Sequence, residues 1–371
     1  MHEVGLGLQR RDEVAADLVA AIRAKEVTLK TFGSALESGV ESIEMPHPAL
    51  TRFFTTIEAT PDWVDWAEVE RGARVCREMG QNALDVLAYG SLLGGYRFQA
   101  ANNVLTASGG LSTTGALRRV GETTKWWVEC VTQDGLRRHG EGFKLTAHVR
   151  LMHQLISVHF EQDTDWDHSE YGVPVNATDQ AATLALFSTT FLLQVRMLGV
   201  PVLPREGQAV MHLWRYIGWL LGIEEQWIPL SEHDGRRMIY RFVLSQATPK
   251  EDGHLLADAL IKKVPRGYHY SHLVHPRRIL QTYRAANLGT YFQGRRGMRE
   301  VGLSPLIPLH AIARIPLNLL VHGALKKLPV TKKIVAQLTR RKLDLALDRH
   351  FGPQVQAIGS LDAAHNGRHN S

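Results

Sequence analysis

The chain has 371 residues, 44% of them hydrophobic, 8% aromatic and 22% charged. This ordinary globular composition excludes disorder, collagen-like repeats and a small disulfide scaffold. Lys and Arg number 43 against 37 Asp and Glu, a net charge of +6 with the 18 His neutral. The densest basic runs, Lys326-Lys327, Lys332-Lys333 and Arg340 to Lys342, lie near the C-terminus and carry no interleaved aromatic stripe. Nucleic acid is therefore not an expected partner, and an anionic membrane surface suits the pattern better.

The two cysteines, Cys76 and Cys130, are far apart, which excludes a disulfide framework or a Cys-rich metal site and fits a reducing compartment. Arg10-Arg11 are followed by acidic residues rather than an apolar run. No secretion signal is expected, and a cytoplasmic protein with peripheral membrane contact is. The apolar stretch from Leu306 to Leu328 is interrupted by Pro308, His310, Arg314, Pro316 and His322, so it is not read as a membrane span.

Taken along the chain, strand signals are few and helical periodicity is frequent. Amphipathic helices are predicted over 14–24 and 66–79. An apolar helix over 83–93 ends at Gly94-Gly95. Further helices are predicted from Ser112 to Val131, from Thr146 to Phe160, from an Asn176 or Thr178 cap to Leu198, and from Arg205 to Leu221. The series continues from Ser231 or Asp234 to Gln246, then over 253–263, 276–288 and 330–350. No fixed-period repeat and no Pro/Ser linker divides the chain. The expected organisation is an all-α protein with an N-terminal helical extension (1–60), a core (61–250), C-terminal helices packed on that core (251–350) and a loose tail (351–371).

The common catalytic signatures are absent: no GxGxxG after a strand, no phosphate-binding P-loop, no GxSxG and no HExxH. Asp163, Asp165 and Asp167 alternate like the start of a calcium loop. His168 stands where that loop needs Gly and Pro174 where it needs Glu, so the stretch reads as a solvated acidic loop. His269, His272 and His275 recur at helical spacing, either as a metal cluster or as a polar surface.

The helix around His153 is more informative. Leu145, Val149, Met152 and Ile156 make one stripe; Thr146, Arg150, His153 and Ser157 make another. A lone imidazole among apolar neighbours is either a satisfied core histidine or an axial haem ligand. An arginine one turn away is either structural or a propionate partner. Arg119 and Thr123, four apart on the preceding helix, project together. They read as a surface pair or as part of the same pocket.

Five short stretches in order resemble a known family. They are Gly90 to Gly95; Arg119 to Thr123 as R-xxx-T; Val149 to His153; Trp166-Asp167 with Gly172 to Asn176; and Leu213 to Gly218 with Leu221-Gly222. The family is that of the latex-clearing rubber oxygenases and the mycophenolic-acid-pathway oxygenase. The resemblance covers roughly 89–240. It implies a globin-like all-α core holding haem b (iron), with O2 as co-substrate and an apolar small molecule or lipid as substrate. It also implies His153 as the proximal ligand, Arg150 supporting the haem, and Arg119 and Thr123 near the distal side.

The sequence departs from that family in three places. Glu122 stands where rubber oxygenases carry a Lys before the motif Thr, and is either a distal acid–base group or solvent-facing. No acidic residue lies between Asp85 and Glu122, so the family's upstream Glu base is missing or replaced by Glu122. Ser157 replaces an Arg one turn after the ligand His. A haem-dependent oxygenase or hydroxylase is the expected function. The alternatives are a non-catalytic haem sensor or carrier, coordinated for instance by His148 on the other side, and a haem-free interaction protein using 312–328 at a membrane surface.

Overall fold

The computed structural model describes residues 2–105, 113–162, 166–245, 251–263 and 276–324. Among these residues every regular element is helical, and the all-α reading holds. The N-terminal third gives α1 (His2–Gly7), α2 (Glu13–Arg23), α3 (Leu29–Ser38), α4 (Pro48–Glu58), α5 (Trp66–Met79), α6 (Gln81–Val86) and α7 (Gln99–Leu105). The middle gives α8 (Thr113–Val131), α9 (Glu141–Glu161), the single turn α10 (His168–Tyr171), α11 (Ala177–Ala185), α12 (Phe191–Met197) and α13 (Pro204–Leu220). The remainder comprises α14 (Glu232–Ser245), α15 (Glu251–Asp258), α16 (Pro276–Glu300) and α17 (Leu309–Asn318).

Local chemistry sets most boundaries. Side chains of Asp12, Thr28, Asp65 and Asn176 accept backbone N–H groups at the starts of α2, α3, α5 and α11, satisfying donors a helix start leaves open. Proline opens α4 and α13, where its missing N–H costs nothing. Asp167 of the acidic loop caps α10 through Ser169 N and Glu170 N.

Three predicted helices differ from those observed. Helix α9 begins at Glu141, not Thr146, because extended Gly140 precedes it (φ −68°, ψ 147°) and Glu141 suits its first turn. Helix α16 runs twelve residues beyond Leu288; its interruption comes later, at left-handed Gly294. The helix expected over 83–93 is α-helical only to Val86. It continues as a π-helical stretch, Leu87–Leu92, before a last α-helical turn, Leu93–Gly95. Three more π stretches follow: Leu186–Thr190 separates α11 from α12, Ala259–Lys263 continues α15 and Leu319–Ala324 continues α17. The predicted helix 330–350, the tail, the basic runs from Lys326 onward, the His269/His272/His275 group, and Asp163 with Asp165 lie outside the described residues.

The main core draws on both ends of this series. Phe32, Phe53 and Phe54 are fully buried, with ring centroids 5.6–5.8 Å apart. They share one apolar cluster with Trp127, Leu151, Phe191 and Trp214. The stretch expected as an N-terminal extension thus contributes Leu18, Phe32 and Phe54 to the same core as α8, α9 and α13. Helix α5 lies along α13 at close range: a Cβ on Gly72 would stand 2.3 Å from the Ala209 carbonyl oxygen. A second cluster joins Leu93, Tyr96 and Val120 to Leu256, Leu260, Ala285 and Met298, packing α15 and α16 onto α8.

Helix α17 is fastened to α6 through polar groups. Arg314 donates to Asp85 Oδ2 and Asn82 Oδ1, and Asn318 Nδ2 donates to Asn82 Oδ1 (3.1 Å) and to the Leu198 carbonyl (2.8 Å). Buried polar side chains persist only when paired, and this network pairs them.

Candidate functional site

Helix α9 carries both Arg150 and His153, and they have different surroundings. Arg150 is buried and spent on a protein carboxylate. Its Nε and Nη2 donate to Asp12 at 2.5 and 2.9 Å, Nη1 reaches the Leu220 carbonyl at 3.4 Å, and the guanidinium lies 5.3 Å from the Phe53 ring centre. Gly222 makes room for this pair. At its φ of +84° only glycine sits without strain, and a Cβ there would stand 2.3 Å from Asp12 Oδ2 and 2.6 Å from Arg150 Nε. The expectation that Arg150 meets a propionate is therefore corrected, because its fork is already filled by Asp12.

His153 Nδ1 is buried with no hydrogen-bond partner. Burial lowers the imidazole pKa, opposed by a hydrogen bond to the Gln180 side chain and by the charge of Asp12, so the ring is neutral at neutral pH. The Gln180 side chain beside it is tied to the backbone, its amide nitrogen donating to the Val175 carbonyl at 3.1 Å. Neutral imidazole is the form that ligates a metal. Among the described residues no three His, Cys, Asp or Glu side chains gather as a metal site. A lone neutral imidazole with a free nitrogen fits a metal group that brings its own in-plane ligands, as a porphyrin does.

Helices α8, α9 and α11 converge here. Two turns before His153 on α9, Thr146 accepts from Trp126 Nε1 of α8 at 3.0 Å. Trp126 meets Phe187 edge-on at 5.8 Å, and Phe187 lies two turns beyond Gln180. Trp214 of α13 backs both rings, at 5.8 and 5.5 Å. One residue beyond Gln180's neighbour Thr178, Asp179 is held by Asn176 Nδ2 (2.8 Å) on one oxygen only, and burial pushes its carboxyl up to about 7.

Phe187 also walls a cavity of about 170 Å³. From α8 this cavity takes Val120, Thr123, Thr124 and Trp127; from α6 and its π continuation it takes Leu84, Leu87, Ala88, Tyr89 and Leu92. From α16 come Ala285 and Leu288. The first two π stretches border it, and side chains satisfy carbonyls they free. Ser91 Oγ donates to the Leu186 carbonyl at 2.7 Å, and Gln293 Nε2 donates to the Gly90 carbonyl at 2.7 Å. Such π turns in α-helices are rare and recur at functional sites.

The structure brings only some of the predicted residues together. Thr123 lines the cavity; Arg119, Glu122 and His153 do not. Arg119 donates to the Leu105 carbonyl at 2.9 Å. Burial lowers its pKa, while Tyr96 and Glu122 raise it. Glu122 accepts from Arg118 one turn earlier at 2.8 Å, an ordinary helix-surface pair rather than an acid aimed at the cavity. Ser157, expected as the replacement of an Arg, donates to the Pro174 carbonyl at 2.6 Å. Gln180, Phe187 and the α16 wall are absent from the sequence reading. No motif marks them, since they reach the site only through the fold.

Three similarities to known proteins bear on these residues. The family model described as ER-bound oxygenase mpaB/B'/rubber oxygenase, catalytic domain, matches residues 77–318. A rubber oxygenase of Streptomyces sp. (strain K30) is 22% identical over 185 residues, 49% of this chain and 45% of that protein. The aligned stretch thus spans less than half the length of that relative. The structure of latex clearing protein LCP in the closed state matches with a TM-score of 0.72 at 18% identity, covering 91% of both chains. At that identity the likeness shows a shared fold.

Proposed function

Because the chain belongs to the family of the ER-bound oxygenase mpaB/B' and the rubber oxygenases, we propose that it is a haem b-dependent oxygenase acting with O2 on an apolar small molecule or lipid. His153 would hold its iron. The observation that carries the reading is the buried, unpartnered nitrogen of a neutral His153. Haem b, when bound, supplies the redox chemistry that O2 use requires.

The chain's own residues do the rest. Desolvation keeps the imidazole ring neutral. Asp12 holds Arg150, and through it the roll of α9. Thr123 offers a hydroxyl on the cavity wall, among the apolar side chains of Val120, Trp127 and Phe187. Arg119 contributes a half-buried positive charge on the same helix, which favours negative charge developing nearby. Glu122, turned to Arg118, is given no proton-transfer step.

The test is an absorption spectrum of the wild type and His153→Ala, each produced with a haem precursor. A Soret band in the wild type that is lost in the variant is the expected result. A band that survives the substitution overturns His153 as ligand, and no band in either overturns haem binding.

We also propose that the protein makes peripheral contact with a membrane surface. Among the described residues no helix is long and apolar enough to span a bilayer. Leu309, Ile312, Leu317, Leu319 and Leu320 are each about half exposed on α17 and its continuation, a concentration that marks interaction surfaces. Co-sedimentation with phosphatidylglycerol vesicles at low salt is expected, and the double change Leu317→Asp with Leu320→Asp is expected to reduce it at least severalfold. Wild-type protein that stays in the supernatant would remove the membrane assignment.

A further inference from the structure

The cavity beside Phe187 has one polar end. Gln81 and Asp85 of α6 and Gln281 and Arg284 of α16 form it, while Leu84, Leu87, Leu92, Val120, Trp127 and Leu288 form the apolar remainder. The groups at this end have different duties. Asp85 is satisfied: its Oδ1 accepts from Gln81 at 2.8 Å and its Oδ2 from Arg314. His310 accepts from Arg284 Nε at 3.3 Å. Burial first, then the charges of Arg284 and Arg314, lower the His310 pKa, with Asp85 opposing. His310 is therefore a neutral acceptor, not a competing cation.

Arg284 faces these groups without a carboxylate of its own. Its Nε contact with His310 is its hydrogen bond among the described residues, and it takes part in no ion pair there. A guanidinium has five N–H donors, and the two terminal nitrogens hold four of them in a planar fork. With Asp85 neutralised by Arg314 and His310 uncharged, this end of the cavity keeps one net positive charge. Leu84, Leu87, Leu92 and Leu288 continue the wall as apolar surface.

We infer that the cavity binds an amphiphile with a single carboxylate head, received by the Arg284 fork and the Gln281 amide, with its apolar part lying toward Thr123. A planar two-oxygen anion matches the fork bidentately. The cavity volume of about 170 Å³ is close to that of an engineered cavity of about 150 Å³ that binds benzene. It takes a segment of roughly six carbons, and longer substrates extend out of it. Exposed Ile279, Leu280 and Tyr283 on the same turns of α16 give an apolar chain a surface to cross on the way in. The inference deepens the oxygenase reading by naming its substrate class, but the binding it describes does not depend on haem.

Calorimetric titration of the purified protein with octanoate and with 1-octanol tests it, alongside a Soret spectrum of the same preparation. Octanoate is expected to bind about tenfold more tightly or better, the size of a charge-assisted hydrogen bond. Arg284→Gln is expected to erase that preference while leaving octanol binding in place, and Arg284→Lys to keep part of it. Equal binding of the two ligands by the wild type overturns the inference without any variant, as does a preference that survives Arg284→Gln. A Soret band with no carboxylate preference leaves the oxygenase reading standing alone. A preference without a Soret band removes that reading and keeps this one.

Discussion

Replacing Asp12 with alanine is expected to destabilise the protein by about 3–5 kcal/mol, the usual cost of stranding one member of a buried ion pair. The Arg150 and Asp12 side chains are only 5% and 8% exposed, so water cannot take over the lost carboxylate. The Leu220 carbonyl at 3.4 Å accepts one donor of the fork and leaves the rest unpaired. Asp12 also caps α2 by accepting from Ala15 N at 3.2 Å, and a lost cap costs about 1 kcal/mol on its own. Asp12→Asn separates the two parts, since asparagine still caps but carries no charge. Combining Asp12→Leu with Arg150→Met is expected to recover a good part of the loss, because the stranded charge goes with its partner. Equilibrium urea unfolding of the four proteins measures each arm. A loss under 1 kcal/mol for Asp12→Ala would show that Arg150 finds another partner or water.

Trp214→Ala is expected to cost about 3–5 kcal/mol, the range for deleting a buried aromatic side chain. Trp214 is 1% exposed and touches both Trp126 and Phe187. Its indole N–H has no hydrogen-bond partner, so the loss is one of packing. Trp214→Phe is accordingly expected to cost much less than Trp214→Ala, since it forfeits volume but no hydrogen bond. Urea midpoints at unchanged slope check both. Equal losses for the two variants would mean that the indole nitrogen has a partner and the packing account is wrong.

The helices were legible where punctuation was strong. Asn176 and the Gly199–Pro204 stretch bracket a helical run, and Pro204 and Gly222 bracket α13, because capping and breaking act locally. The π stretches were not legible, since Leu87 to Leu92 has the same apolar composition as an α-helix would. Their widening is decided by Ser91, Gln293 and the helices these reach. The same division runs through the site. His153 and Thr123 sit in short motifs that a sequence displays. Arg150 also sits in such a motif, yet its partner Asp12 is 138 residues away, a pairing no local pattern announces. Arg284 carries no motif at all, and only the packing of α16 against α6 and α8 brings it to the cavity.

The two π stretches that border the cavity also limit how this chain can change over time. A helix becomes π-helical by gaining a residue between ends that stay put. Each such gain leaves a carbonyl over where the wider pairing returns to the narrower one. Here the carbonyls at 186 and 90 found donors on other segments, Ser91 and Gln293. Deleting a residue from either stretch would turn everything beyond it by about 100°. Phe187 would leave the cavity wall, and the donors would face empty positions. The wall can therefore vary by substitution, but not by growing or shrinking one residue at a time.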